Sequence, residues 1–409
     1  MNRIIKSFLD FDFYKLTMGQ LFFEQFKVNQ LIIEYSFKNR SKYMLNKIPI
    51  EVINEQFRYL SELRASQSDV DFIKSKYPEV FSDEYFDFIM NIQLPIITVG
   101  DNYSIVYSGD VRTHIYMETY ILSIINELYY IYNTDAYSNL KKVTEFGLSK
   151  VVESFRKINA VPDFPTKAIT EFGTRRRFSF SYQREVLNII RNYEYIFGGT
   201  SNVHLAKEFD LKPIGTNAHE LYMIYAGLIG LDNDVTLRES QFEVLDLWEE
   251  RYPYDMRIAL SDTFGTNVFL EDFKKYKNDW KGLRHDSGDA LLFGERCIDF
   301  FGASLSKEKL ILFSDGLNTE EILRIHYRFV NRIKYGYGWG TMLTNNLGME
   351  TLSIVVKPSK IISYNGVVVD RPLVKLSDNL NKNTGNLLEI ERYKIVFDYV
   401  NKQSSELIV

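Results

Sequence analysis

Residues 281–289 read KGLRHDSGD. A short, mostly apolar run (281–285) passes directly into a polar turn, Asp286-Ser287-Gly288-Asp289, and a helix-period stretch follows at about 288–301. The same unit recurs on both sides. Strand candidates at 168–172 (AITEF), 195–197 (YIF), 212–215 (KPIG), 257–260 (RIAL), 309–313 (KLILF) and 332–335 (RIKY) alternate with helical patterns at about 180–193, 202–209, 218–229, 266–277 and 319–329. Such alternation predicts parallel strands joined by crossover helices. Six or seven units favour a closed or nearly closed β/α barrel over an open sheet.

The flanks differ. The first third is aromatic-rich, with a strand at 31–37, helix-period stretches over 49–92, and a hairpin at 95–109 turning at Asp101-Asn102. Helices follow at 114–131 and about 136–158. After about 350 the chain turns β-rich again, at 353–357, 360–363 and 366–369, a tail able to complete an N-terminal domain.

The 409 residues suit two or three domains, or one large barrel with extras, at roughly 150 residues per domain. Lys and Arg number 49 against 54 Asp and Glu, so the net charge of −5 provides no whole-protein field for nucleic acid. The one cysteine, Cys297, excludes an intrachain disulfide framework or a multi-cysteine zinc site and suits a reducing cytoplasm. The opening stretch, MNRIIKSFLDFDFYKLT, reaches Asp10 too soon for a secretory core. With no run of roughly 18 uncharged apolar residues, no membrane span is expected.

Active-site residues of β/α barrels lie at the C-terminal ends of the strands. Here six strand candidates in succession run into polar loops: Gly173 to Arg177, Gly198 to Asn202, Thr216 to Glu220, Asp286 to Asp289, Ser314 to Gly316, and Gly336 to Thr341. The glycine loops near 198 and 338 suit phosphate, through close approach of backbone N–H groups, but also suit plain βα turns. Arg175, Arg176 and Arg177 can neutralise phosphates or form a solvated charge run; in an extended segment at most two of them face one site. Asp286 and Asp289 can hold ribose hydroxyls, or Mg²⁺ travelling with a pyrophosphate, or cap a helix, and Asp315 carries the same ambiguity. Among five histidines, His219 follows a strand and adjoins Glu220, which makes it the first candidate for base or nucleophile. His285 is the second; His114, His204 and His326 fall on helices and read as structural.

These loops, in this order, resemble the nicotinate phosphoribosyltransferase family. The stretches that carry the resemblance are DFYKLTMGQ (12–20), EFGTRRRFS (171–179), GGTSN (198–202), PIGTNAHE (213–220), GLRHDSGD (282–289), FSDGL (313–317), GWGTMLTNN (338–346) and LSIVVK (352–357). The resemblance implies an irregular TIM-like β/α barrel (131–349) packed against a mixed α/β domain built from 1–130 and 350–409, and a cytoplasmic homodimer with shared active sites. It implies ATP-coupled synthesis of nicotinate mononucleotide from nicotinate and phosphoribosyl pyrophosphate, with Mg²⁺, through transient phosphorylation of His219. Tyr14, Phe172, Ser201 and Arg175 would meet nicotinate. Arg175, Arg177, Thr200, Arg284, Asp286, Ser287, Asp315, Gly316, Gly338, Gly340 and Thr341 would meet the ribose and phosphates. Ser201 speaks for the acid over the amide, because it can donate to a carboxylate where an acidic residue would repel one. The alternatives are a nicotinamide phosphoribosyltransferase, a phosphate-binding barrel isomerase or lyase, and a silent paralogue.

Overall fold

Apolar runs without alternation have to be buried on both faces, and three of the short strands are: every residue of Ile169–Glu171, Ile258–Leu260 and Gly282–His285 is buried. The computed structural model describes residues 2–231, 233–379 and 382–400. Its strands are β1 (Leu31–Asn39), β2 (Val106–Asp110), β3 (Ile169–Glu171), β4 (Phe197–Thr200), β5 (Ile258–Leu260), β6 (Gly282–His285), β7 (Leu310–Phe313), β8 (Lys334–Trp339), β9 (Ile354–Tyr364) and β10 (Val367–Pro372).

The chain packs as two units. The first holds Met1–Phe26, Tyr35–Gly215 and Gly338–Lys357; the second holds Lys27–Glu34, Thr216–Tyr337 and Pro358–Val409. These divisions do not fall at 130 and 350. In the first unit β3 and β4 pair in parallel, and the Phe172 N–H just beyond β3 donates to the Trp339 carbonyl at 2.9 Å. In the second unit β5, β6, β7 and the start of β8 form a continuous parallel ladder, from Ile258 opposite Gly282 to Phe313 opposite Tyr337. An antiparallel hairpin, β9 with β10, belongs to the same unit from Pro358 onward.

The fold is therefore mixed α/β with parallel strands, but no closed barrel forms among the described residues. The segment 212–215, expected as a strand, makes one parallel bridge from Pro213 to Thr200. Proline has no N–H to continue a ladder. Over 95–109 only β2 is a strand. Asn102 and Tyr103 adopt positive φ of 54° and 59°, and the Gly100 N–H closes on the Ser104 carbonyl at 2.8 Å, so this stretch turns on itself instead of pairing.

The helix Asp234–Arg251, like the later Leu387–Val396, was not expected from the sequence. Its buried stripe is Leu237, Ser240, Gln241, Val244, Leu245 and Trp248: helical spacing, interrupted by two polar residues. Gln241 is tolerated there because its Nε2 donates to Asp272 at 2.7 Å, beside the paired donors of Arg238 at 2.7 and 2.8 Å. No described helix is long and apolar enough to cross a membrane.

The β6–β7 contact leaves no room for a side chain at Gly282, where a Cβ would stand 1.8 Å from the Leu310 carbonyl oxygen. Gly282→Ala should lower stability by about 1–3 kcal/mol or more in urea unfolding. A loss below about 0.5 kcal/mol would mean that these strands are not so close.

Candidate active site

The second unit gathers its chemistry where β5 and β6 end. The loop after β5 carries Asp262 and Thr263, and the loop after β6 carries Asp286 and Ser287. His219 opens the helix His219–Ile229, whose residues are buried through Gly227. A helix buried on all sides belongs to a core, so the histidine at its first position is firmly mounted. The helix N-terminus also presents its positive dipole end to any anion there.

His219 has partners on both ring nitrogens. Nδ1 lies 3.0 Å from Thr263 Oγ1; Nε2 lies 3.0 Å from Asp286 Oδ2 and 3.7 Å from Asp262 Oδ1. A carboxylate oxygen only accepts, so Nε2 carries the proton and Nδ1 holds the lone pair, accepting from the Thr263 hydroxyl. Burial, reinforced by the Lys375 ammonium, outweighs the two carboxylates and pulls His219 down to about 4. Its imidazole is neutral at pH 7. Burial pushes the Asp286 carboxyl up, but Arg284 and His219 overcome it and hold the group well below its usual range. Asp262 is likewise lowered against burial by Lys375 and His219. The partner expected for His219 was Glu220; the carboxylates at Nε2 are Asp286 and Asp262.

Arg284 donates to Asp286 Oδ1 at 2.8 Å, to Ser314 Oγ at 3.1 Å and to the Asn217 carbonyl at 3.1 Å, so three of its donors are spent inside the protein. Ser287 donates to Asp262 Oδ2 at 2.5 Å, which ties up the hydroxyl expected to meet phosphate. Asp315 pairs with Lys382 at 2.9 Å. Gly316 has φ 64°, with no heavy atom within 4 Å of where a Cβ would stand, so its backbone is open. Asp289 caps the helix Ala290–Leu305 through the Leu292 N–H at 2.8 Å and lies 3.4 Å from Arg324, which is the capping alternative. His285 closes the β6 loop on the Gly288 carbonyl at 3.2 Å, between the rings of Phe293 and Phe313.

His219, Asp262 and Asp286 place one donor atom each within 4.8 Å of one another. The set does not suit Mg²⁺, which takes oxygen ligands in an octahedron. One donor is an imidazole, and both carboxylates already face a protein cation, Lys375 at 3.6 Å from Asp262 and Arg284 at 2.8 Å from Asp286.

The first unit holds a separate charged cluster. Asp12 accepts from Ser201 Oγ at 2.7 Å and lies 3.2 Å from Arg175 Nε. Glu118 meets Lys15 at 2.8 Å, the Tyr14 hydroxyl at 3.1 Å and Arg175 at 3.6 Å. Burial opposes its ionisation, but Lys15, Arg175 and Lys357 outweigh it and hold Glu118 at about 2. The Arg175 side chain remains 38% exposed, and its guanidinium stands 5.7 Å from the Tyr14 ring centre. Phe172, half-buried, lies against Gly338, where a Cβ would sit 2.4 Å from its ring. Thr341 opens the short helix Thr341–Thr344 directly after Gly340.

Three expectations for this unit change. The arginine triplet is not extended: Thr174–Arg176 is a 3₁₀ turn. Arg177 is wholly buried, bidentate to Asp10 at 2.6 and 2.9 Å with Gln183 at 3.1 Å, so it does not reach phosphate. Gly198 and Gly199 lie within β4, where Cβ atoms would strike the Lys167 and Lys212 carbonyls at 2.5 and 2.4 Å; they serve close backbone packing instead of an anion loop. The neighbouring side chains are also engaged. Thr200 donates to Glu171 at 2.5 Å, and the single hydroxyl proton of Ser201 already goes to Asp12. Glu171, pushed up to about 7 by burial, was not among the candidates; nor were Asp262, Thr263 and Lys375. For Asp262 the signal was present, since SDT (261–263) follows RIAL as the other polar loops follow their strands.

Two predictions follow from these charges. A histidine whose folded value lies near 4 favours the neutral form, so the unfolded chain binds its proton first as pH falls from 6.5. Stability should therefore drop by about 2 kcal/mol between pH 7 and 5, a decrement that His219→Asn lacks in urea unfolding at the two pH values. Equal decrements would place the His219 proton elsewhere. Arg177→Met should cost about 3–5 kcal/mol by stranding Asp10, and Asp10→Asn in the same chain should restore part of it.

Residues 167–401 match the nicotinate phosphoribosyltransferase (NAPRTase) family, and residues 9–126 match the N-terminal domain of the same family. The chain is 33% identical over 394 residues to a nicotinate phosphoribosyltransferase of Chromobacterium violaceum, covering 93% of each, and 33% identical over 395 residues to one of Acinetobacter baylyi, again with 93% of each. Its fold is similar to the crystal structures of nicotinate phosphoribosyltransferases from Porphyromonas gingivalis (TM-score 0.83, 29% identity, 97% of this chain and 100% of that one) and Vibrio cholerae (TM-score 0.84, 28% identity, 97% and 94%). With residues 9–126 and 167–401 both matched, the chain belongs to the nicotinate phosphoribosyltransferase family and is an enzyme of that kind.

Proposed function

We propose that this enzyme joins nicotinate to phosphoribosyl pyrophosphate, giving nicotinate mononucleotide for NAD salvage, and couples that step to ATP through a phosphate carried on His219. The observation that carries the ATP half is the state of His219: neutral, mounted at a helix N-terminus, with its Nε2 proton held by Asp286 and its lone pair on Nδ1.

Nδ1 attacks the γ-phosphorus of ATP. The N–P bond forms as the P–O bond to the β-phosphate breaks, and ADP leaves with the electron pair. The positive charge developing on the ring is met at Nε2–H by Asp286, itself held by Arg284. The new phosphoryl group brings a charge of about −2, placed at the positive end of the helix. In the second step the ring nitrogen of nicotinate attacks the ribose C1 as its bond to pyrophosphate oxygen breaks. Positive charge gathers on that carbon, and preorganised carboxylates are suited to stabilise it. Water then cleaves the N–P bond, releasing phosphate and restoring the imidazole. Mg²⁺ accompanying the substrate phosphates would supply charge neutralisation of the leaving group.

Tyr14, Phe172 and Arg175 are the proposed nicotinate residues, with Arg175 taking the carboxylate because the Ser201 hydroxyl is committed to Asp12. The open backbone at Gly316, with Asp315, and the segment Gly338, Gly340 and Thr341 are proposed for ribose-phosphate oxygens. Family likeness supports an irregular, incompletely closed β/α barrel carrying a mixed α/β domain, a cytoplasmic location, and a homodimer with shared sites.

The test is mononucleotide formation from phosphoribosyl pyrophosphate with nicotinate or nicotinamide, each with and without Mg-ATP. Product from nicotinate, strongly stimulated by ATP, is expected; product from nicotinamide alone would sink the acid reading. Arg175→Met should weaken nicotinate by ~100-fold, the value of one charge-assisted bond, and leave nicotinamide little changed. Ser201→Ala should not alter the preference between the two. Undiminished ATP stimulation in His219→Ala would remove that residue from its role.

A further inference from the structure

The segment 375–378, far from His219 in sequence, meets the histidine's surroundings with four consecutive residues. Lys375 Nζ, on a side chain 6% exposed, stands 3.6 Å from Asp262 Oδ2. The Leu376 N–H donates to the carbonyl of Thr263, the residue whose hydroxyl meets His219 Nδ1, at 2.9 Å. Ser377 Oγ reaches Ser287 Oγ at 3.1 Å, and Ser287 in turn donates to Asp262. Asp378 accepts from the Thr266 N–H at 2.8 Å and its hydroxyl at 2.6 Å, fixing the helix that follows the Asp262 loop. Behind them, the backbones of Lys375 and Thr384 exchange bonds at 2.8 and 2.9 Å, and the Tyr399 hydroxyl donates to the Ser377 carbonyl.

Two carboxylates, Asp262 and Asp286, face Nε2, and left alone they would favour a protonated imidazole, which is no nucleophile. Arg284 answers Asp286. Asp262 has Lys375 as its cation, and its Oδ1, buried and without a hydrogen-bond partner, points toward His219. The remaining charged neighbours are Glu220 on the histidine's own helix and Asp378, which Thr266 engages.

We infer that Lys375 is a positioning residue for His219, its ammonium opposing a second positive charge on the imidazole and also offsetting Asp262, so that the Nδ1 lone pair stays unprotonated. The inference rests on the reading of His219 as the phosphate carrier, but its physical content is separable. Burial and Lys375 both lower the His219 proton affinity, and the second can be removed by one substitution.

The test is a titration of the His219 ring in the full-length protein, followed by NMR of ¹³C-labelled imidazole and assigned by the signal lost in His219→Asn. In Lys375→Met the midpoint should rise by about 1–3 pH units, and in Lys375→Arg it should stay near the unsubstituted value. Lys375→Met strands a buried Asp262, so the same change is also made in Asp262→Asn, where no carboxylate is left uncompensated; there too, removal of the lysine should raise the midpoint. An unmoved midpoint on either background, or a rise equally large in Lys375→Arg, overturns the inference. Acid-labile label from γ-³²P-ATP on the unsubstituted enzyme tests the phosphate-carrier reading separately. Lack of label there, with the lysine effect present, would end that reading while leaving Lys375 as the residue that sets the His219 proton.

Discussion

A buried charge must be answered by another, and the cluster around His219 is organised around one such balance. Asp262 and Asp286 face a single imidazole inside a core, and the arrangement holds because Lys375 and Arg284 stand behind them. Neutral overall, the set can be desolvated without an unpaired ion. Everything that positions it is unremarkable structure: two parallel strands ending side by side, a core helix starting beside them, and a late segment threading past. The strands need Gly282 to pack closely, and the helix needs to be buried through Gly227 so that His219 cannot swing into solvent.

The first unit obeys the same rule with different geometry. Arg177 and Asp10 are wholly buried and bidentate, which removes them from ligand chemistry and makes them part of the frame. Two residues earlier, Arg175 shares Asp12 and Glu118 yet stays more than a third exposed. A 3₁₀ turn separates the two fates, because it rotates neighbouring side chains by about a third of a turn instead of alternating them.

Much of this was legible in the sequence. The strand-then-polar-loop rhythm located β3 and β5 through β8, and it marked His219 and Asp286 as candidates; Arg284 came only with the family resemblance. Composition could not tell which polar side chains were already spoken for. Ser201, Thr200, Ser287 and Arg177 all carry suitable chemistry, but each is committed to a buried carboxylate. Partners distant in sequence decide that, and a spacing rule sees only near ones. The helix Asp234–Arg251 was missed for a related reason: Ser240 and Gln241 interrupt its apolar stripe, and the bond that makes Gln241 tolerable comes from Asp272 on another helix. Lys375 gave no local signal at all, since its role depends on where the tail runs.

That path of the tail has a bearing on how the enzyme is made. A ribosome emits the chain from the N-terminus, and domains fold as they emerge. All the parallel strands are complete by Trp339, and His219, Asp262 and Asp286 are by then already synthesised. Their charge balance is not, because the lysine and the bonds to Thr263 and Ser287 arrive only with residues 375–377. A nascent or prematurely ended chain would thus hold Asp286 with its Arg284 but Asp262 without its counter-ion. The cation that answers Asp262 is made only after every strand bordering the histidine has left the ribosome.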